Sequence, residues 1–215
     1  MAKKDLKKPD EFFTLSERAV NWVRANQKKA IAIGCCLALA IVIVIIGRMV
    51  YVSNQNTKRI AFQEAADMAA AGKSDQAIEA FNKFLAKYSG SDLAPLASLR
   101  LGRLYYTKGE YDKAIEQYEK AIPQLKGYSD FYPLAVLGVS AAYQSKGDKE
   151  KAVKELLTIK DKPTNYLNEE TLLQLTLLYH EIGDAEKAKS TGEELMKEFP
   201  TTGYAGLVKN MVGLD

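Results

Sequence analysis

The stretch LGRLYYTKGEYDKAIEQYEKA, residues 101–121, decides the fold of this chain. Its central glycine belongs to a set of four that recur at spacings of 37, 38 and 36 residues: Gly72, Gly109, Gly147 and Gly183. Similar residues at a period of this size are the signature of repeat architectures, in which each repeat is one supersecondary unit. We therefore expect the region around these glycines to be an array of repeats.

The residues around each glycine recur as well. A small residue lies seven positions before it, at Ala65, Gly102, Ser140 and Thr176. An alanine lies five positions after it, at Ala77, Ala114, Ala152 and Ala188. An acid lies three positions after it, at Asp75, Asp112, Glu150 and Glu186. The position four before holds Met68, Tyr105, Tyr143 and Tyr179, and the position nine after holds Phe81, Tyr118, Leu156 and, as an exception, Gly192.

Each recurring residue type has a physical role in a pair of helices. The glycine supplies the left-handed residue that ends the first helix, and the acid sits in the first turn of the second, where the helix dipole favours negative charge. The small residues let the two helices approach, and the large residues fill the space between them. Such a hairpin buries its apolar face only by stacking on the next one. The predicted fold class is all-α, an α-solenoid of about four helical hairpins.

The end of the chain repeats an earlier sequence. Residues 88–96, YSGSDLAPL, and residues 199–207, FPTTGYAGL, align at a shift of 111 residues, which is three repeat lengths. Since the earlier stretch leads into the first helix of a hairpin, the later one predicts a C-terminal capping helix.

A long apolar segment precedes the repeats. Residues 30–47 read AIAIGCCLALAIVIVIIG, and after Arg48 the apolar character continues through residues 49–52. About 20 apolar residues are needed to cross a bilayer as a helix. We therefore predict one transmembrane helix over residues 30–52. A cleaved signal peptide is disfavoured, because its charged leading region would have to be 29 residues long.

The charges on either side of this segment predict its orientation. Residues 1–29 contain eight lysines and arginines against four acids. By the positive-inside rule the N-terminus lies in the cytoplasm and the repeats lie outside, which in a bacterium is the periplasm. The predicted organisation is a basic cytoplasmic tail with a short amphipathic helix (1–29), a transmembrane helix (30–52), a juxtamembrane connector (53–57) and a repeat domain (58–215). The amphipathic helix is either a simple membrane-surface anchor or a docking element for a membrane partner.

The composition excludes several classes of function. The two cysteines are neighbours, Cys35 and Cys36, so no disulfide framework is possible, and the single histidine excludes a His-based metal site. After residue 52 the balance is 21 basic to 23 acidic residues, which disfavours nucleic-acid binding. No phosphate loop, C-x-x-C motif, dinucleotide fingerprint or nucleophile with a base partner is recognisable. We predict no catalytic residues, no cofactor, no metal and no small-molecule substrate, and so no enzyme.

The pattern of residues 101–121 resembles the tetratricopeptide repeat. That resemblance implies that the first helices of successive hairpins line an inner groove that binds protein. The residues so placed are Phe62, Leu96, Leu99, Arg103, Tyr106, Leu134, Leu137, Leu173, Leu177 and His180. A mostly apolar set suits an extended hydrophobic polypeptide. The alternative, that many of these leucines are simply hairpin core, stays open.

The order of parts, with the sequence of residues 88–109 (YSGSDLAPLASLRLGRLYYTKG), resembles the YfgM-like ancillary subunits of the SecYEG translocon. This resemblance implies anchoring in the bacterial inner membrane, a periplasmic repeat domain, and contact with SecYEG, periplasmic chaperones and unfolded secretory clients. The predicted function is a chaperone or chaperone adaptor for polypeptides emerging from the Sec translocon. The alternative is a scaffold for cell-envelope assembly or regulatory complexes, without chaperone activity.

Overall fold

A computed structural model describes residues 11–127, 130–162 and 165–213, with side chains from residue 16 onward. Within these ranges the chain contains ten helices and no strand. They are α1 (Glu11–Ala25), α2 (Gln27–Ala70), α3 (Ser74–Tyr88), α4 (Ala94–Thr107), α5 (Tyr111–Leu125), α6 (Tyr132–Lys146), α7 (Lys149–Leu157), α8 (Asn168–Ile182), α9 (Ala185–Glu198) and α10 (Ala205–Val212). The all-α prediction is confirmed.

The chain divides into two compact units, Met1–Asn56 and Thr57–Asp215. The first contains α1 and the apolar part of α2. Among the described helices, α2 is the one with the length and apolar composition needed to cross a membrane, and its apolar stretch is not buried by other parts of the protein. Residues 53–57, for which the sequence predicts a connector, are helical and belong to α2.

The second unit consists of four helical hairpins and a capping helix. The first helices are residues 57–70 of α2, then α4, α6 and α8, and the second helices are α3, α5, α7 and α9. Apolar side chains of residues 61–69 pack with α3 and α4, and each later second helix packs on the first helix of the following hairpin. Helix α10 packs on α8 and α9. The predicted hairpins and C-terminal cap are confirmed.

The four recurring glycines end the first helices as the sequence predicts. Their φ angles are +74°, +75°, +93° and +88°, a left-handed conformation that costs other residues energy. In each hairpin the N–H of the next residue donates to the carbonyl five residues earlier, at 2.9–3.0 Å. This is the Schellman closure of a helix, and it turns the chain into the second helix.

A cation over a tyrosine ring recurs in three of the hairpins. The lysine four positions after the glycine lies 5.3–5.4 Å from the ring centre of the tyrosine four positions before it. The same lysine pairs with the acid that directly follows the glycine, at 2.6–3.1 Å. The sets are Tyr105, Lys113 and Glu110; Tyr143, Lys151 and Asp148; and Tyr179, Lys187 and Asp184. The first hairpin has Met68, Gln76 and Lys73 at these positions, so it lacks the arrangement.

One tyrosine ring joins the second and third hairpins. Tyr118 is buried, and its ring lies against two glycines on different helices. A Cβ added at Gly102 of α4 would lie 2.9 Å from the ring, and one added at Gly138 of α6 would lie 2.6 Å from its Cζ. Burial raises the pKa of the Tyr118 hydroxyl to about 12. A side chain at either glycine would collide with this ring, which explains why both positions hold glycine.

The exception at Gly192 is explained by the capping helix. The other hairpins hold a large residue nine positions after the recurring glycine, where the fourth hairpin holds Gly192. A Cβ added at Gly192 would lie 2.7 Å from Cγ1 of Val208. Val208 is fully buried and belongs to α10. The capping helix thus supplies the side chain that fills this space.

Candidate protein-binding surface

The first helices of neighbouring hairpins touch one another through side chains. The guanidinium of Arg100 lies 5.7 Å from the ring centre of Phe62 on α2. The Ser145 hydroxyl on α6 donates to the Tyr106 hydroxyl on α4 at 3.3 Å. These contacts place the first helices side by side along the second unit.

A third contact continues the row, since the Gln144 amide on α6 donates to the Glu181 carboxylate on α8 at 3.1 Å. We call the partly or fully exposed side chains along this row the first-helix surface. Its members are Phe62, Leu96, Arg100, Arg103, Tyr106, Leu134, Leu137, Gln144, Ser145, Leu177, His180 and Glu181.

The ten predicted groove residues divide by burial. Leu99 and Leu173 are only 7% and 8% exposed and lie in the hydrophobic core. Those that are half-buried are Phe62, Leu96, Tyr106, Leu137 and Leu177. Those that are exposed are Arg103, Leu134 and His180, with Leu134 at 44%. Eight of the ten therefore reach solvent to some extent, and two are core.

Packing brings part of the predicted set together. Leu96, Leu99, Tyr106 and Leu137 belong to one cluster, formed by the second and third hairpins. Phe62 packs instead with α3, where its ring meets those of two other phenylalanines at 5.7 and 5.8 Å. Leu173 and Leu177 lie in a separate cluster of the fourth hairpin and the cap. The predicted set is therefore spread along the array rather than gathered in one pocket.

Four polar members of the surface are absent from the sequence prediction: Arg100, Gln144, Ser145 and Glu181. A search for apolar residues could not find them, yet the repeat contained a signal for Gln144, Ser145 and Glu181. Tyr106 and Gln144 lie three residues before their glycines, and Ser145 and Glu181 lie two before theirs. In both of these hydrogen bonds between successive first helices, the residue three before the glycine of one hairpin contacts the residue two before the glycine of the next.

Two carboxylates that interact electrostatically, Glu119 and Glu155, lie on second helices. The Tyr143 hydroxyl donates to Glu119 of α5 at 2.5 Å. Burial and this hydrogen bond raise the pKa of Tyr143. Burial, and then the negative charge of Glu119, raise the pKa of Glu155 on α7 above its ordinary value.

Three other carboxylates come close enough to suggest a cation site. Ligand oxygens of Asp161, Glu194 and Glu198 lie within 4.8 Å of one another. The Lys160 ammonium, however, donates to Asp161 at 2.8 Å and to Glu194 at 2.6 Å. The Asn168 amide donates to Glu198 at 3.0 Å. Because the Lys160 ammonium already bridges two of the three carboxylates, Asp161 and Glu194, the cluster is a structural ion pair that ties α9 to the loop after α7.

Family models for the tetratricopeptide repeat match two parts of the chain, residues 62–129 and residues 170–202. The matches cover the first two hairpins and most of the fourth. Residues 130–169 lie outside both matches, and this part includes α7, which at nine residues is the shortest of the second helices. No curated protein matches the sequence significantly.

Solved structures of low sequence identity have a similar fold. A tetratricopeptide repeat protein from Parabacteroides merdae ATCC 43184 is 18% identical with a TM-score of 0.62, and the alignment covers 73% of this chain and 60% of that one. MamA protein is 23% identical with a TM-score of 0.59, covering 74% and 84%. YrrB, described as a tetratricopeptide protein with an unusual peptide-binding site, is 16% identical with a TM-score of 0.54, covering 72% and 77%.

At these identities the structural matches establish the fold alone, and the chain spans only 60% of the length of the Parabacteroides merdae protein. Repeats of this type form protein-interaction scaffolds. The repeat models match residues 62–129 and 170–202, and the hairpin geometry and the solved structures agree with them, so the second unit has the fold of tetratricopeptide repeats, in a chain that also contains a helix of membrane-spanning length.

Proposed function

We propose that this protein is a membrane-anchored protein-binding module that acts as a chaperone or chaperone adaptor for polypeptides emerging from the Sec translocon. The observation that carries the proposal is the first-helix surface, which offers aromatic and aliphatic side chains to solvent along four successive hairpins. Leu134 is 44% exposed there, and Phe62, Leu137 and Leu177 are half-buried. Such side chains can hold an extended segment of another polypeptide.

The anchor is the apolar part of α2. We infer that it crosses the inner membrane of a bacterium once, with the N-terminus in the cytoplasm and the repeats in the periplasm. The basic excess of residues 1–29, eight against four, supports this orientation. Protease added to intact spheroplasts should digest the second unit and spare the N-terminal tail. Protection of the second unit would contradict the orientation.

The partners follow from the resemblance to YfgM-like translocon subunits: SecYEG, periplasmic chaperones and unfolded secretory clients. The surface suits weak and sequence-tolerant binding, because its apolar side chains are partly buried and are interspersed with Arg100, Arg103 and Glu181. Anchoring near the exit of a translocon compensates for weak affinity, since it raises the effective concentration of the surface around an emerging chain.

Site-specific photo-crosslinking tests the proposal. A photoreactive residue at Leu134 or Leu137 should capture translocating chains or translocon subunits in membranes. Leu157 provides a matched control, because it is also a leucine, is 49% exposed, and lies on a second helix. Equal capture at Leu157, or no capture of either class at Leu134 and Leu137, would contradict the proposal.

A second candidate function is a scaffold for envelope assembly or regulatory complexes. The contacts of Tyr106 with Ser145 and of Gln144 with Glu181 favour it, because they fix the first-helix surface in one arrangement, as suits one defined partner. A scaffold should bring down one stable partner and should not suppress the aggregation of an unfolded client. A chaperone should show the opposite behaviour in both assays.

A further inference from the structure

Helix α1 adjoins the start of α2 with a single residue between them. The N–H of that residue, Asn26, donates to the Trp22 carbonyl at 2.9 Å, and its side-chain amide donates to the same oxygen at 3.1 Å. The N–H of Ala30 in turn donates to the Asn26 carbonyl at 2.9 Å. The apolar stretch of α2 begins at that alanine. If α2 is the membrane anchor proposed above, on which this inference rests, α1 lies at the boundary of the bilayer.

One side of α1 is apolar and exposed. Val20, Trp22 and Val23 are all exposed, with Trp22 at 46%. Ala19 lies three residues before Trp22 and four before Val23, so it falls on the same side of the helix. Among the described residues, no hydrophobic cluster includes any of these four side chains.

Arginines border this apolar side on both edges. Arg18 precedes Trp22 by four residues and Arg24 follows Val20 by four, so each guanidinium neighbours one edge. Both arginines are exposed, and no acidic side chain of the described chain lies within ion-pair distance of either. Lys28 and Lys29 add two more cations in the first turn of α2. An apolar strip flanked by cations is suited to bind a layer whose interior is apolar and whose surface carries negative charge.

We propose that α1 docks on the face of a bilayer that contains anionic phospholipids. Trp22 and Val23 lie among the upper acyl chains, and Arg18 and Arg24 bind headgroup phosphates. Tryptophan favours this depth, and the long arginine side chains can bury their stems while the guanidinium stays at the surface. A zwitterionic surface has no net negative charge, so it should hold α1 much less well.

Trp22 makes the proposal directly testable, because it is the only tryptophan in the protein. The full chain is reconstituted in vesicles of phosphatidylcholine alone, or with about 30 mol% phosphatidylglycerol. With the anionic lipid, we expect the emission of Trp22 to shift to shorter wavelength and its quenching by brominated acyl chains to rise roughly twofold. Both effects should weaken as salt is raised from about 0.05 to 0.5 M.

The variant Arg18→Gln/Arg24→Gln should lose the dependence on anionic lipid. The matched control Lys58→Gln/Arg59→Gln removes two charges beyond the apolar stretch and should keep it. Identical emission of Trp22 in both vesicle types would overturn docking on anionic lipid. Free quenching of Trp22 by acrylamide in both types would also overturn it, and would favour a protein partner for α1 instead.

Flotation of the same vesicles after an alkaline wash separates the two proposals. A chain that does not float has no membrane anchor, which overturns both. If the chain floats but the emission of Trp22 does not depend on lipid composition, the membrane anchor is supported and only the docking of α1 is overturned.

Discussion

At the scale of single residues, neighbouring helices pack closely where a large side chain of one lies against a glycine of another. Tyr118 fills the space left by Gly102 and Gly138, and Val208 fills the space left by Gly192. Protein interiors are packed so closely that one added methyl group at such a position is felt. These positions are therefore sensitive even though none of the residues belongs to the first-helix surface.

The change Gly138→Ala tests this at the ring of Tyr118. The new Cβ would lie 2.6 Å from a ring carbon that is held on both sides. Overpacking costs about 1–3 kcal/mol, against a gain in helix propensity of up to about 1 kcal/mol. We expect the free energy of unfolding to fall by about 1–2 kcal/mol in urea titrations followed by circular dichroism.

Gly90→Ala is the control for the Gly138 change, because nothing lies within 4 Å of a Cβ added there. Adding Tyr118→Leu to Gly138→Ala should recover part of the loss, since the smaller side chain leaves room for the methyl group. No loss in the single variant would show that Tyr118 does not separate the two helices.

A second prediction at this scale concerns pH. Burial and Glu119 raise the pKa of Glu155, so the folded state binds a proton more tightly than the unfolded state. The stability due to this group is therefore present at low pH and is lost as the pH rises through the raised pKa. Glu155→Gln should increase the unfolding temperature at pH 7, and the difference should shrink below about pH 4.5. Thermal melts across this range provide the measurement.

Glu193→Gln serves as the control for loss of one negative charge, because Glu193 is exposed on α9. A Glu155→Gln variant that is less stable than the parent at pH 7 would contradict this prediction, because it would show that the carboxylate is favourably paired in the folded state.

At the scale of elements, the capping helix closes the apolar end of the array. Without α10, Leu172 and Leu195 would be more exposed, since they pack in one cluster with Val208, and so would the backbone of Gly192, which lies beside Val208. Arrays of repeats need such a terminal element with a polar outer face. Helix α10 is thus a part of the hydrophobic core rather than an appendage.

The change Gly192→Ala should loosen α10 selectively. The added Cβ would lie 2.7 Å from Val208 Cγ1, and a terminal helix can move away more readily than an internal one. We expect faster hydrogen exchange of the α10 amides with little change in α5 or α6. Val208→Ala in the same chain should restore protection. Gly203→Ala, with open space around its Cβ, is the control, and equal acceleration there would contradict the role of Gly192.

The helical hairpins were predictable because their determinants are local. A left-handed glycine such as Gly109, an acid such as Asp112 and alternating small and large residues can all be recognised within one repeat. The exposure of the first-helix surface was less predictable, because it depends on the neighbouring hairpin. Leu96 and Leu134 share one repeat position, yet the former packs against the core and the latter is exposed. Repeat position fixes where a side chain lies on its helix but not what covers it.

At the scale of the whole molecule, charge and hydrophobicity are separated along the chain. The basic excess precedes the apolar stretch, and the acidic balance of the second unit follows it, at 21 against 23. The second unit, Thr57–Asp215, is compact by itself. It contains every hydrophobic cluster found among the described residues.

A fragment of residues 57–215 should therefore be a folded, helical protein with a cooperative thermal transition close to that of the full chain in detergent. A fragment of residues 73–215 is the matched comparison, because it lacks Phe62 and Ala65 and so uncovers Phe81 and Phe84. We expect it to unfold at a lower temperature in circular dichroism melts. A longer fragment that melts without cooperativity would show that the second unit depends on the first.

The ring of Tyr118 also sets the boundaries for engineering this array. Cutting the chain at the glycine turns suggests interchangeable cassettes of about 37 residues. The cassette of residues 110–147 contains both Tyr118 and Gly138 but leaves Gly102 behind, so it would fail when grafted after a foreign helix with an ordinary side chain in place of Gly102, because the ring already occupies that space. The transplantable module is hence larger than the sequence period, and shuffling experiments should move the second and third hairpins as one piece.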